Sequence, residues 1–270
     1  MMQLKRWITA IIALPFLIAL VYKGHPVLFF LFVGFVSVLA MWEYFRIVYG
    51  RQEGKSIHLI SGLGFAVGLM IIWAAFIGTA ELMIGMLAVN LILSGLIAFF
   101  KIGSDAKISD TLIKQAMGTL YVPLLLSFLI LIRNETQGIG WLFFLMAVVF
   151  SGDSFAYYGG TYLGRHKLCP LVSPGKTVEG SVAGLLANVG AGYLFRNLMA
   201  LPISGSLCLI LSLSLGIAGQ IGDLFESLLK RSADVKDSGG ILPGHGGVLD
   251  RIDATLFAAP VLYLFIRYVI

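Results

Sequence analysis

Between Asp223 and Asp253 the sequence crowds acids, bases and glycines together in a way that points to phosphate chemistry. Asp223, Glu226 and Lys230 follow one another at spacings of three and four, so a helix would set all three on one face. Read blandly, Glu226 and Lys230 are an internal ion pair with Asp223 solvated beside them. The segment that follows, residues 236–253, holds five glycines between Gly239 and Gly247, including Gly246 and Gly247. Glycines let backbone N–H groups approach phosphate oxygens without side-chain obstruction. Lys230, Arg231, Lys236 and Arg251 offer charge-assisted contacts to the same oxygens. Asp250 and Asp253 open the next apolar run, where they read either as capping acids or, for Asp250, as a partner of Asp223 around a divalent ion. Magnesium takes oxygen ligands, few carboxylates, and substrate phosphates to complete its octahedron. His245, between glycine stretches, is read first as a phosphate contact, then as a proton carrier or a turn residue.

A second polar segment lies upstream. Asp153 sits within an apolar run that ends at Gly164-Arg165-His166-Lys167, and Ser173-Pro174-Gly175-Lys176-Thr177-Val178-Glu179-Gly180 follows. The Gly-Lys-Thr triplet lacks the glycine frame and preceding strand of a P-loop, and that reading is rejected. Thr177 is placed to cap the next helix with Glu179 as a first-turn acid. Lys167 and Lys176 are then available to a nucleotide triphosphate.

The elements that must carry these residues are membrane helices. Of 270 residues, 59% are hydrophobic and 12% charged, about half the charge of a soluble globule. Nine apolar runs approach the length needed to span a bilayer: 5–22, 27–48, 57–78, 81–100, 111–132, 139–163, 178–199, 203–228 and 252–269. The fold class expected is therefore all-α, a polytopic membrane protein of about nine helices. On this topology 15 of the 19 Lys and Arg residues fall on the side of the N-terminus and 4 on the other, which places the N-terminus in the cytoplasm. Seven of the fifteen lie in the two long loops, and the sign survives their removal. The first run reads as a retained helix rather than a signal peptide. Residues 1–140 read as scaffold, and residues 141–270 as a catalytic region with cytoplasmic loops 164–177 and 229–251. Cys169 and Cys208 have no spacing that implies a disulfide or a zinc site. The net charge of +5 suits anionic lipid or polyphosphate, while the scattered basic residues argue against nucleic acid.

The run Ser227-Leu228-Leu229-Lys230-Arg231, then Lys236-Asp237, Pro243-Gly244-His245-Gly246-Gly247 and Asp250-Arg251-Ile252-Asp253, resembles the signature of phosphatidate cytidylyltransferases. Asp153-Ser154-Phe155-Ala156-Tyr157 and Ser173 to Gly180 are similar to that family's other motifs, so the likeness is strong over roughly 150–253. The resemblance implies a Mg²⁺-dependent enzyme of phospholipid biosynthesis that makes CDP-diacylglycerol from CTP and phosphatidate. It further implies a homodimer in the lipid bilayer, and the compact length favours a bacterial inner membrane with the active site facing the cytoplasm. Asp223 and Asp250 would be metal ligands, with Asp153 and Glu226 lining the same acidic centre. Lys176, Lys230, Arg231, Lys236 and Arg251 would bind phosphates, with Lys167, Ser173, Thr177, Glu179, Gly246 and Gly247 in the substrate site. A second metal or a monovalent cation is left open.

The expected reaction is in-line attack of a phosphatidate oxygen on the α-phosphorus of CTP, with pyrophosphate leaving. Two other readings use the same residues. A cation-coupled secondary transporter would explain acids inside the membrane, and a CTP-dependent polyprenol kinase would transfer the γ-phosphate instead.

Overall fold

The computed structural model describes residues 15–50, 55–101, 108–241 and 246–270, with the side chains of residues 55 and 56 excepted. Among them the chain is helical apart from loops and one short hairpin. Helix α1 is described over 15–23 and is followed by α2 (Pro26–Tyr49), α3 (Lys55–Phe76), α4 (Ala80–Lys101) and α5 (Ile108–Thr119). A π-helical turn (Leu120–Leu124) joins α5 to α6 (Leu125–Asn134), and α7 (Gly138–Leu163) comes next. Strands β1 (Lys167–Cys169) and β2 (Ser173–Thr177) separate α7 from α8 (Val178–Leu198), α9 (Gly205–Ser232) and α10 (Leu249–Tyr268).

Among the described residues six helices are long and apolar enough to cross a membrane: Pro26–Tyr49, Ile57–Phe76, Ala80–Lys101, Ile108–Asn134, Gly138–Leu163 and Gly205–Ser232. The protein is a polytopic helical membrane protein on that count. The expected runs 178–199 and 252–269 are helices, α8 and α10, but neither is among the six. Residues 5–14 of the first expected run lie outside the described residues.

Local rules explain several boundaries. His25 caps α2 by accepting from Val27 N at 3.3 Å, and Pro26 stands at the first helical position, where its missing N–H costs nothing. Pro123 lies inside the π turn, where a proline has no N–H for the ladder, so the expected run 111–132 is one helix with a local defect. The expected loop 164–177 carries structure of its own. Part of the 164–177 loop pairs as an antiparallel hairpin, Lys167 opposite Thr177 and Cys169 opposite Ser173. A chain reversing within so few residues satisfies its backbone groups most directly by pairing with itself.

Contacts divide the chain into two compact units. The first comprises Met1–Leu131 and Val235–Asp250, so the glycine-rich segment belongs with the N-terminal helices. Its interior combines an aromatic cluster (Tyr44, Phe45, Tyr49, Phe65 and Tyr121) with a buried polar knot. In that knot Gln115 of α5 donates to Asn90 of α4 at 2.8 Å and accepts from Ser94 at 3.1 Å. The second unit comprises Ile132–Asp234 and Arg251–Ile270. Helices α7 and α8 approach closely there: a Cβ on Gly180 would lie 2.6 Å from the Ala156 carbonyl oxygen. Small residues at such crossings let helix backbones meet where side chains would hold them apart.

Candidate active site

Within the second unit a cavity of about 350 Å³ opens between α7, the hairpin, α8 and α9. Asp153 and Tyr157 come from α7, Ser173 and Lys176 from β2, Ser181 from α8, and Gln220 and Asp223 from α9. Lys176 Nζ lies 2.5 Å from Asp223 Oδ2, with both side chains partly exposed. Ser181 and Gln220 tie α8 to α9: the serine hydroxyl donates to Gln220 Oε1, and Gln220 Nε2 donates to the Ser181 carbonyl at 3.0 Å.

The hairpin is held at its base. Thr177 ends β2 and caps α8, its hydroxyl accepting from Gly180 N at 3.1 Å. Glu179, in the first turn of α8, accepts from Arg165 N at 3.0 Å and meets His166 Nδ1 at 2.6 Å. Glu179 thus latches the hairpin rather than lining the cavity. Lys167 donates to the Pro174 carbonyl at 2.8 Å, and Arg231 Nε to the Val172 carbonyl at 3.2 Å, so both cations brace the same turn.

Three carboxylates of this unit share an electrostatic neighbourhood. Asp153 feels the charges of Asp223, Lys176 and Arg251, and Asp253 those of Asp223, Asp153 and Lys230. Asp253 was read from sequence as a helix-start acid alone, and its membership of this group was missed. Its spacing of three from Asp250 is the signal that could have raised it. Glu226 is 1% exposed and pairs with Lys230 at 2.7 Å, the ion pair that the spacing of four allows. It does not line the cavity.

Among the described residues no group of three or more His, Cys, Asp or Glu side chains is gathered tightly enough to hold a metal alone. The cavity does carry oxygen-bearing side chains of the kind magnesium takes. Asp153, Asp223, Thr161 and Ser173 line one space, with Lys176 paired to Asp223.

The glycine-rich segment is organised in the first unit. Asp250 lies in the first turn of α10, and its Oδ2 accepts from Gly247 N at 2.8 Å, Ser238 N at 3.0 Å and the Ser238 hydroxyl at 2.9 Å. Glu43 of α2 is fully buried, and its Oε2 accepts from Leu249 N at 2.8 Å and the Ser238 hydroxyl at 3.1 Å. Arg46, one turn on, donates to the Ser238 carbonyl at 3.1 Å. The glycines have reasons beyond a phosphate cradle. Gly246 has φ +78°, and a Cβ on Gly239 or Gly247 would run into the Glu43 carboxylate. A Cβ on Gly240 would meet nothing within 4 Å. Lys236 and Arg251 are exposed, and His245 and Gly244 lie outside the described residues.

A family model described as the cytidylyltransferase family matches residues 4–269, nearly the whole chain. The chain belongs to the cytidylyltransferase family. Relatives agree along its length. A phosphatidate cytidylyltransferase of Bacillus subtilis is 34% identical over 270 residues, covering 96% of each chain. One of Staphylococcus epidermidis is 32% identical over 259 residues, 95% of this chain and 96% of the relative. One of Brucella abortus is 49% identical over 140 residues, 52% of each chain. The protein is a membrane nucleotidyltransferase, and neither the transporter nor the polyprenol kinase reading draws support from these relatives.

Proposed function

We propose that the protein joins CTP and phosphatidate to give CDP-diacylglycerol and pyrophosphate. The observation that carries this is the cavity on which Asp153, Asp223 and Lys176 converge in a chain that matches cytidylyltransferases end to end. A phosphatidate oxygen forms the new bond to the α-phosphorus, and the bond from that phosphorus to the β-bridging oxygen breaks. The phosphate nucleophile is ionised at neutral pH, so no general base is required. Magnesium, when bound, neutralises the polyphosphate and eases departure of pyrophosphate.

The chain's residues supply binding and orientation. Asp153 and Asp223 would hold the metal, and Lys176, beside Asp223, is placed to meet a phosphate oxygen. Asp250 is assigned a metal role, and Lys230, Arg231, Lys236 and Arg251 phosphate roles, on the signature sequence. We further propose nine spans, a cytoplasmic N-terminus and site, a bacterial inner membrane and a homodimer, on the charge distribution and the bacterial relatives.

The test uses purified full-length protein in phosphatidate-containing micelles with Mg²⁺ and CTP labelled at either the α- or the γ-phosphorus. Label from the α position is expected in the lipid product and label from the γ position in pyrophosphate. Lipid labelled from the γ position would make the protein a kinase, and no transfer of either label would remove the enzymatic reading.

A further inference from the structure

Helix α2 lies outside the stretches that carry the resemblance described above, yet it reaches into the signature segment through two side chains one turn apart. Glu43 is 0% exposed, in a helix long and apolar enough to cross a membrane. A carboxylate buried there is costly and persists only with partners of value. Its partners are Ser238 and Leu249, at the two ends of the glycine-rich segment, and Arg46 holds the Ser238 carbonyl from the same helix face. Ser238 in turn gives its N–H to Asp250 Oδ2, and its single hydroxyl proton is shared between Asp250 and Glu43. Gly239 and Gly247 lack side chains where Cβ atoms would collide with Glu43. The segment is shaped around this carboxylate.

We infer that Glu43 is a positioning residue for the transfer reaction, fixing the Asp250 carboxylate through Ser238. The inference rests on the proposed metal role of Asp250. The hydroxyl of Ser238 bridges the two carboxylates, 3.1 Å from one and 2.9 Å from the other, so displacing Glu43 frees Ser238 to turn and Asp250 to follow. Catalytic groups displaced by about 1 Å lose on the order of 10²-fold in rate. Glu43→Gln keeps a carbonyl oxygen able to accept from both Leu249 and Ser238, whereas Glu43→Asp is one methylene too short to reach them.

The experiment measures kcat and KM for CTP, and the Mg²⁺ concentration for half-maximal rate, per folded enzyme in detergent. The variants are Glu43→Gln, Glu43→Asp, Ser238→Ala, the double variant Glu43→Asp/Ser238→Ala, and Asp250→Asn. Glu43→Asp and Ser238→Ala are each expected to lower kcat by about 10²-fold and raise the Mg²⁺ requirement. The double variant is expected to be little worse than either alone, since both break one chain of contacts. Glu43→Gln is expected to stay within about 10-fold of the parent. A merely structural Glu43 would lower the melting temperature but leave kcat and the Mg²⁺ requirement of the folded fraction unchanged, which overturns the inference. Should Glu43→Asp fold too poorly to assay, unchanged kcat in Ser238→Ala overturns it equally. A fully active Asp250→Asn removes the underlying metal reading, and an inactive Asp250→Asn beside a fully active Ser238→Ala removes only the role of Glu43.

Discussion

Replacing Gly180 with alanine tests whether the close approach of α7 and α8 holds the cavity in shape. The added Cβ would stand 2.6 Å from the Ala156 carbonyl oxygen and 3.0 Å from the Gly160 backbone. Ordinary contact begins near 3.4 Å, so the overlap with the carbonyl is about 0.8 Å, and neither obstacle is a side chain that could swing aside. The helices must separate or tilt. Overpacking of this kind costs about 1–3 kcal/mol, or roughly 2–10 °C in melting temperature for a chain of this size. Asp153 lies on α7 less than one turn before Ala156, and Thr177 caps α8 by accepting from the N–H of the substituted residue, so the same movement shifts two walls of the cavity. A fall in kcat of about 10²-fold is therefore expected. The matched control is Gly190→Ala on the same helix, where no atom lies within 4 Å of the added Cβ and a gain of up to about 1 kcal/mol is expected from helix propensity. Thermal unfolding in detergent and CTP-dependent release of pyrophosphate read the two effects. Equal melting temperatures and equal kcat for the two variants would refute the claim that this crossing shapes the site.

Lys230→Met leaves the Glu226 carboxylate buried without its 2.7 Å partner and is expected to cost about 3–5 kcal/mol, with much of the loss recovered in Lys230→Met/Glu226→Leu, as read by thermal unfolding. Asp223→Asn is expected to lower kcat by about 10²–10³-fold and to weaken Mg²⁺ dependence in a metal titration. Its melting temperature should barely change, because the Lys176–Asp223 pair is 26% and 34% exposed and such pairs are worth about 0–1 kcal/mol. Thr177→Ala removes the cap of α8 at a cost of about 1 kcal/mol, and hydrogen exchange at the first turn of that helix is expected to accelerate.

What could be read without coordinates was local. The Glu226–Lys230 pair follows from a spacing of four on a helix, and Thr177 with Glu179 read correctly as the start of α8. Helical runs were legible because in lipid a long continuous apolar stretch satisfies its backbone as a helix. The hairpin escaped because three- and five-residue strands carry too little periodicity, and a proline and a glycine stand within β2. The packing of α7 on α8 was likewise not read from the sequence. Gly152, Ala156 and Gly160 recur at intervals of four on α7, as do Gly180 and Gly184 on α8, and the two rows pack on each other within one chain.

By itself the sequence determined most of the helical runs, the Thr177 cap of α8, the polar face of α9 and the signature that carries the family, because each depends on residues within a few turns of one another. Tertiary structure alone decided that Asp153, Lys176 and Asp223 share a cavity, and that Glu43 grips a segment 195 residues away. Contacts at that separation leave no period along the chain: they exist only when packing has brought distant helices to the same place, and a buried charge shows its purpose only beside its partner.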